Sequence, residues 1–269
     1  MALTFKTESS RNQIAMSKFS VILPAAGKSS RFQGTGQKKV FSSLDGRSVW
    51  LRTADLFLDR KEVCQVIVVV SADDQESFID RFGSDLAVLG IDWAVGGKER
   101  FDSVANALKK VDSNANYIAV HDAARPCVTP DEISAVFDQA QKTGAAILAN
   151  PINATIKRST QNQQVQQTVD RQHLWAAQTP QVFRKDWLVQ AYQRWIELAQ
   201  TATTDQDQHS TIQFTDDSQL IEQAGHLVSI VNGQTTNIKI TTLDDLKLAQ
   251  AILKSRPPKT NSLFHPFAD

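Results

Sequence analysis

Five consecutive β-branched residues, Val66-Ile67-Val68-Val69-Val70, constrain this chain more than any other feature. A short apolar run without polar alternation fits a strand covered on both faces, as in parallel sheets flanked by helices. The same rhythm of short apolar runs and amphipathic stretches continues from Phe19 to Leu253. Further strands are expected at 19–23, 92–95, 117–121, 145–149 and 227–231, and helices at 49–58, 75–82, 100–111, 131–143, 187–200, 218–224 and 244–253. Such alternation predicts an α/β fold, a Rossmann-like, mostly parallel sheet with helices on both faces. In sheets of this kind ligands bind beyond the carboxyl ends of the strands. The residues just after each apolar run are therefore the place to look for chemistry.

Composition narrows the class of partner. Lys plus Arg and Asp plus Glu are each 29, so the net charge is zero and any basic site must be local. That balance speaks against nucleic acid or a membrane surface as a non-specific partner. No apolar stretch approaches the roughly 18 residues of a membrane span. Cys64 and Cys127 are isolated, which excludes a disulfide scaffold and a cysteine zinc site and suits a reducing, cytoplasmic setting. Residues 1–18 lack the apolar run of a secretory signal and read as a disordered extension, with Met16 an alternative start. One domain is expected over 19–254, with a polar insertion at 201–213 and a tail at 255–269.

The rhythm breaks at Asn153–His173, within an arm of about 152–173. Two extended segments flank the polar tract Ser159–Gln167, which reads as a projecting hairpin. A lone two-stranded hairpin is marginal in water, so a packing partner is expected, such as a second subunit.

Two segments carry the chemistry. The first strand runs into Pro24-Ala25-Ala26-Gly27-Lys28-Ser29-Ser30-Arg31-Phe32, where small residues let the backbone approach a ligand and present amides to phosphate. Arg31 and Lys38 could neutralise a triphosphate there. The loop is neither a Walker loop nor a GxGxxG fingerprint, and an ordinary strand-to-helix turn is the plain alternative. The strand at 117–120 then delivers His121-Asp122-Ala123-Ala124-Arg125-Pro126 at its carboxyl end. Asp122 there suits a Mg²⁺–phosphate site, with the alanines leaving room for substrate. The alternative makes Asp122 a cap paired with Arg125.

These segments occur in order with Gly96-Gly97, Arg100, Asp102-Ser103-Val104, Thr168-Val169-Asp170-Arg171, Thr179-Pro180-Gln181 and Asn237-Ile238-Lys239-Ile240-Thr241. Together they resemble the 2-C-methyl-D-erythritol 4-phosphate cytidylyltransferases of the non-mevalonate isoprenoid pathway, from about Phe19 to Leu253. The resemblance implies a nucleotide-diphospho-sugar transferase type of fold, CTP and methylerythritol phosphate as substrates, and a homodimer joined through the arm. It assigns the triphosphate to Ala25, Ala26, Gly27 and Ser29–Arg31, Ser30 among them, and the cytosine to Gly97, Arg100 and Ser103. Lys38 and Lys239 would face phosphates, Lys239 from the end of a late strand. Asp122 would hold Mg²⁺ beside the substrate hydroxyls, with Ala123 next to it. Thr155, Arg171 and Thr179 match positions linked to the methylerythritol phosphate, Arg171 being lent by the partner subunit.

The chain departs from the family at Ser29, where a glycine is usual, and at Gln37-Lys38-Lys39-Val40-Phe41. Lys98 stands where an acid is frequent, and Thr215-Asp216-Asp217 where the family has Thr-Asp-Glu. Arg31, Lys38 and Lys239 are expected to carry catalysis by charge stabilisation. A phosphate nucleophile is already ionised near neutrality, so the histidines need no catalytic role and His121 is expected to be structural. A ribitol 5-phosphate cytidylyltransferase and a catalytically silent nucleotide-binding regulatory protein are the rival readings.

Overall fold

The computed structural model describes residues 16–27, 32, 38–201 and 214–257, with the backbone alone at 199–201. The elements in chain order are β1 (Phe19–Pro24), β2 (Ser43–Leu44), β3 (Arg47–Ser48), α1 (Val49–Leu58), β4 (Val63–Val70), α2 (Gln75–Leu89), β5 (Asp92–Val95), α3 (Arg100–Leu108), β6 (Tyr117–Val120) and α4 (Pro130–Thr143). They continue as β7 (Ala145–Pro151), β8 (Ile156–Ser159), β9 (Val165–Val169), β10 (Trp175–Arg184), α5 (Lys185–Thr201), α6 (Ser218–Gln223), β11 (Ser229–Asn232) and α7 (Leu243–Lys254). Seven strands form one sheet in the order β11-β7-β10-β6-β1-β4-β5, and β10 alone runs antiparallel to its neighbours. The mostly parallel α/β architecture expected from the sequence is therefore present.

The β-branched run of β4 is covered on both faces. Val66, Val68 and Val70 pack on one side with Trp50 and Phe57 of α1, Phe78 and Phe82 of α2 and Phe137 of α4. Ile67 and Val69 face the other side, with Val104 of α3 and Leu188 of α5. Fully burying such side chains stabilises by about 2 kcal/mol each. The stack of Phe19 on Phe137, with ring centroids 4.0 Å apart, ties α4 to the first strand. Thr129 caps α4, its hydroxyl accepting from the Glu132 amide at 3.2 Å.

Several expectations need correction. The strand β10, which is not among the expected strands, takes the place beside β6. Its ladder with β7 breaks between Ala177 and Gln181, so the proline costs no interior hydrogen bond there, and the Thr179–Pro180 peptide is cis. The helix expected at 75–82 runs on to Leu89 and stops at Gly90, whose φ of 64° is left-handed. The helix expected at 100–111 ends at Leu108. The insertion at 201–213 lies outside the described residues beyond 201, as do 1–15 of the leading segment and 258–269 of the tail.

The expected hairpin is present as β8 and β9, an antiparallel pair separate from the main sheet. Apart from Ile156 and Val169 its strand residues are exposed, including Val165 at 66%.

Candidate active site

The candidate site is built where β1, β4, β5, β6 and β10 present their ends to the same edge of the sheet. Its centre is Asp122, two residues beyond β6. The amide of Asp122 donates to Thr179 Oγ1 at 3.0 Å, so the ladder break in β10 holds the start of the Asp122 turn. Arg125 closes that turn, with Nε 3.1 Å from Asp122 Oδ2 and Nη1 donating to the Asn237 carbonyl at 2.7 Å. Lys239 Nζ lies 3.0 Å from the same Oδ2. The pairing of Asp122 with Arg125 that the bland reading foresaw is real, and a second cation joins it.

Lys239 lies not at the end of a strand but in the loop between β11, which ends at Asn232, and α7. That loop is pinned at several further points. Asn237 Nδ2 donates to the Thr179 carbonyl at 2.9 Å, Gln178 Nε2 to the Gln234 carbonyl at 3.1 Å, and the Ile240 amide to the Ala124 carbonyl at 2.8 Å. Backbone-fixed loops of this kind present a flexible lysine from a rigid base. Asn237, inside a quoted motif, and Gln178, just before one, are positioning residues that no sequence signal marked.

The electrostatics keep Asp122 ionised. Burial works against its charge, but Lys239, Arg100 and Arg125 outweigh burial and hold the carboxyl well below the usual carboxylate range. His121 is fully buried, and burial is the main cause that lowers its pKa from 6.5 to about 4. Its Nε2 is 3.1 Å from the Arg125 carbonyl, which can only accept, so the neutral ring carries its proton on Nε2. Its Nδ1 then accepts from the Thr179 hydroxyl at 3.0 Å. His121 is thus a strut of the Asp122 turn, as expected, and not an acid–base group.

The small-residue loop does less than expected with its first residues. The Ala25 amide donates to the Val69 carbonyl at 2.7 Å, so it is committed to the protein and closed to phosphate. Ala123 and Ala124 are packed in the core, at 0% and 3% exposure, and leave no open room. They let Thr53 Oγ1 approach the Ala123 carbonyl to 3.0 Å and the Lys239 loop approach Ala124. Gly27 is exposed, while Ser30 and Arg31 lie outside the described residues. Lys38 does reach the strand ends, where its ammonium pairs with Asp74 and donates to Ser71 Oγ at 3.0 Å, just beyond β4. Asp74 carried no sequence signal beyond its place after that strand.

The Gly96-Gly97 turn packs against the first loop. A Cβ at Gly96 would fall 2.8 Å from Ala26 Cβ and 2.7 Å from Ser103 Oγ, so only glycine allows the two loops to meet. Ser103 Oγ accepts from the Gly97 amide at 3.2 Å and donates to the Glu99 carbonyl at 3.0 Å. Its donor is committed internally, and the hydroxyl shapes the turn more directly than it could read a base. Arg100 opens α3 and pairs with Asp217 at 2.6 Å. Burial opposes the Arg100 charge, while Asp217 first and Asp122 next raise its pKa.

Thr179 is buried beside Asp122, whereas Thr155 and Arg171 sit at the exposed base of the arm. Arg171 Nη1 donates to the Asn153 carbonyl there. Among the described residues no hydrogen bond or ion pair is seen between Thr155 or Arg171 and the Asp122 centre.

Comparison with known proteins identifies the family and the fold. Residues 19–255 match the model of the 2-C-methyl-D-erythritol 4-phosphate cytidylyltransferase family. The enzyme of that name from Rhodopirellula baltica is 38% identical over 245 residues, covering 87% of this chain and 94% of the relative. The one from Bacillus velezensis is 37% identical, covering 91% and 99%. The crystal structure of the Francisella tularensis enzyme superposes with a TM-score of 0.70 at 31% identity, over 88% of this chain and all of that one (100%). These relatives share one name and one fold, and this chain belongs to the 2-C-methyl-D-erythritol 4-phosphate cytidylyltransferase family.

Proposed function

We propose that this chain transfers CMP from CTP to 2-C-methyl-D-erythritol 4-phosphate, releasing pyrophosphate and forming 4-diphosphocytidyl-2-C-methyl-D-erythritol for isoprenoid biosynthesis. The observation that carries this reading is the meeting of Lys239, Arg125 and Arg100 around Asp122 at the strand ends, in a chain of this family.

The reaction is an in-line displacement. A phosphate oxygen of the acceptor forms a bond to the α-phosphorus of CTP while the bridging bond to the β-phosphate breaks. Both reactants are anions, so the main task is to suppress repulsion and stabilise the equatorial oxygens. Lys239, Lys38 and Arg31 would share that task, Lys38 exchanging Asp74 for phosphate. No general base is needed, which fits a His121 buried and committed on both nitrogens.

Among the described residues no three metal-ligating side chains cluster. A single carboxylate at Asp122 fits Mg²⁺ all the same, because that ion is commonly held by one or two carboxylates together with substrate phosphates. When bound, Mg²⁺ would supply further neutralisation of the triphosphate. The cytosine would lie by Gly97, and the acceptor beside Asp122. Thr155 and Arg171 would complete the acceptor site of a neighbouring subunit through the arm, whose exposed surface suits burial in a homodimer. Among the described residues no helix is long and apolar enough to cross a membrane, and we place the reaction in the cytoplasm with no membrane or nucleic-acid partner.

Pyrophosphate release with each of the four NTPs, against methylerythritol phosphate and ribitol 5-phosphate, tests the assignment. Release with CTP and methylerythritol phosphate alone is expected. Release with ribitol 5-phosphate alone overturns it.

A further inference from the structure

The Asp217 carboxylate is fully buried, at 0% exposure, and it has two different partners. Tyr192, in α5, donates its hydroxyl to Oδ1 at 2.5 Å. Oδ2 has no aligned hydrogen-bond donor among the described residues, and it meets the Arg100 guanidinium at 2.6 Å. The backbone of Asp217 is fixed as well. Its amide and that of Ser218 both donate to Gln181 Oε1 at 3.1 Å, while Gln181 Nε2 donates to Asp216 at 2.8 Å. Gln181 belongs to β10, so this scaffold grows from the same strand that holds Asp122 through Thr179.

Arg100 sits at the other end of the arrangement. Its side chain is 30% exposed, so it reaches the open edge of the site, and it stands close enough to Asp122 to influence that group's charge. It also begins α3 directly after the turn that packs on the first loop. A guanidinium placed there could swing among several anions. One buried carboxylate, held by a phenol on a backbone that Gln181 fixes, leaves it one direction.

We infer that Asp217, braced by the Tyr192 hydroxyl, is the positioning residue for Arg100, and that this buried acid–phenol pair sets the affinity of the site for CTP. The inference rests on the nucleotide site proposed above. Pairing a guanidinium with a carboxylate behind it leaves its remaining N–H donors oriented for a ligand anion or carbonyl, which favours affinity without a cost of ordering on binding. The alternative is a buried ion pair that only fastens α3 to α5 and α6. That alternative affects stability and leaves nucleotide affinity unchanged.

A double-mutant cycle separates the two. CTP binding is measured by calorimetry on the purified full-length protein, independently of turnover, for wild type, Tyr192→Phe, Arg100→Gln and the double variant. Tyr192→Phe keeps the ring packed on Phe101, whose centroid is 4.5 Å away, and removes only the hydroxyl. It is expected to weaken CTP binding about fivefold in the wild-type background and by less than about 1.5-fold beside Arg100→Gln, the non-additivity of residues in one network. Asp217→Asn, read the same way, is expected to weaken binding about tenfold. Equal effects of Tyr192→Phe in both backgrounds, or unchanged CTP binding with a lowered melting temperature, overturn the inference. Because binding is read without turnover, failure here is distinct from failure of the acceptor assignment.

Discussion

Lys239 Nζ stands 3.0 Å from Asp122 Oδ2, joining a loop late in the chain to the end of the fourth strand from one edge of the sheet. The pair brings a mobile cation to a carboxylate that three positive groups keep ionised. Replacing Asp122 by Asn removes the charge and preserves the shape. Its kcat is expected to fall by about a hundredfold or more, as for loss of one preorganised charge in an active site. Steady-state kinetics with a melting curve alongside checks this, and a kcat within threefold of wild type counts against Asp122.

The buried His121 predicts how stability follows pH. Its pKa is lowered by burial from 6.5 to about 4, so the unfolded chain binds a proton that the folded chain refuses. Its contribution is therefore complete above pH 6.5 and is lost progressively as pH falls towards 4, by roughly 3 kcal/mol in all. His121→Gln, which keeps a side-chain amide in the turn, is expected to be less stable at pH 7.5 and to lose that part of the slope. Denaturant titrations at several pH values measure both. An unaltered slope in the variant shows that another group is responsible.

Gly96 is where two loops touch. Alanine there would place Cβ against Ala26 and Ser103, at 2.8 and 2.7 Å. Overpacking of this kind costs about 1–3 kcal/mol, and relief requires the loops to part. Gly96→Ala is expected to weaken CTP binding at least tenfold while Gly27→Ala, with nothing within 4 Å of the added carbon, changes stability little. Calorimetry on both variants makes the comparison.

Much of this was legible in the sequence, and the exceptions share a cause. The β4 run and the small-residue loop follow from local pattern alone. The strand β10 does not, because Pro180 argues against a central strand until the broken ladder with β7 is known. The α2 helix reads short because Gly83 looks like a stop, whereas a Cβ there meets only Ile79 Cγ2 at 3.8 Å and the true stop is Gly90. The motif order located Asp122, Thr179 and Lys239. It could not show that the Ala25 amide is committed to Val69, nor that Tyr192 in mid-helix supports Asp217, because those are contacts between distant parts of the chain.

The arm offers a test in mixed subunits. On the arm exchange proposed above, a dimer would draw Arg171 and Lys239 of one site from different subunits. The Arg171→Ala and Lys239→Ala proteins are each expected to be nearly inactive. Refolded together, they are expected to recover up to about a quarter of wild-type activity, since half the dimers would be mixed and carry one intact site. Absence of recovery would place both residues in the same chain's site.

In the reaction proposed above, Lys239 acts on the reacting phosphates and not merely on the fold. The most direct measurement is single-turnover CMP transfer by Lys239→Ala with CTP and methylerythritol phosphate both saturating, beside a melting curve. A rate at least about a hundredfold below wild type with an unchanged melting temperature is the predicted result. A wild-type rate in a folded protein would contradict it.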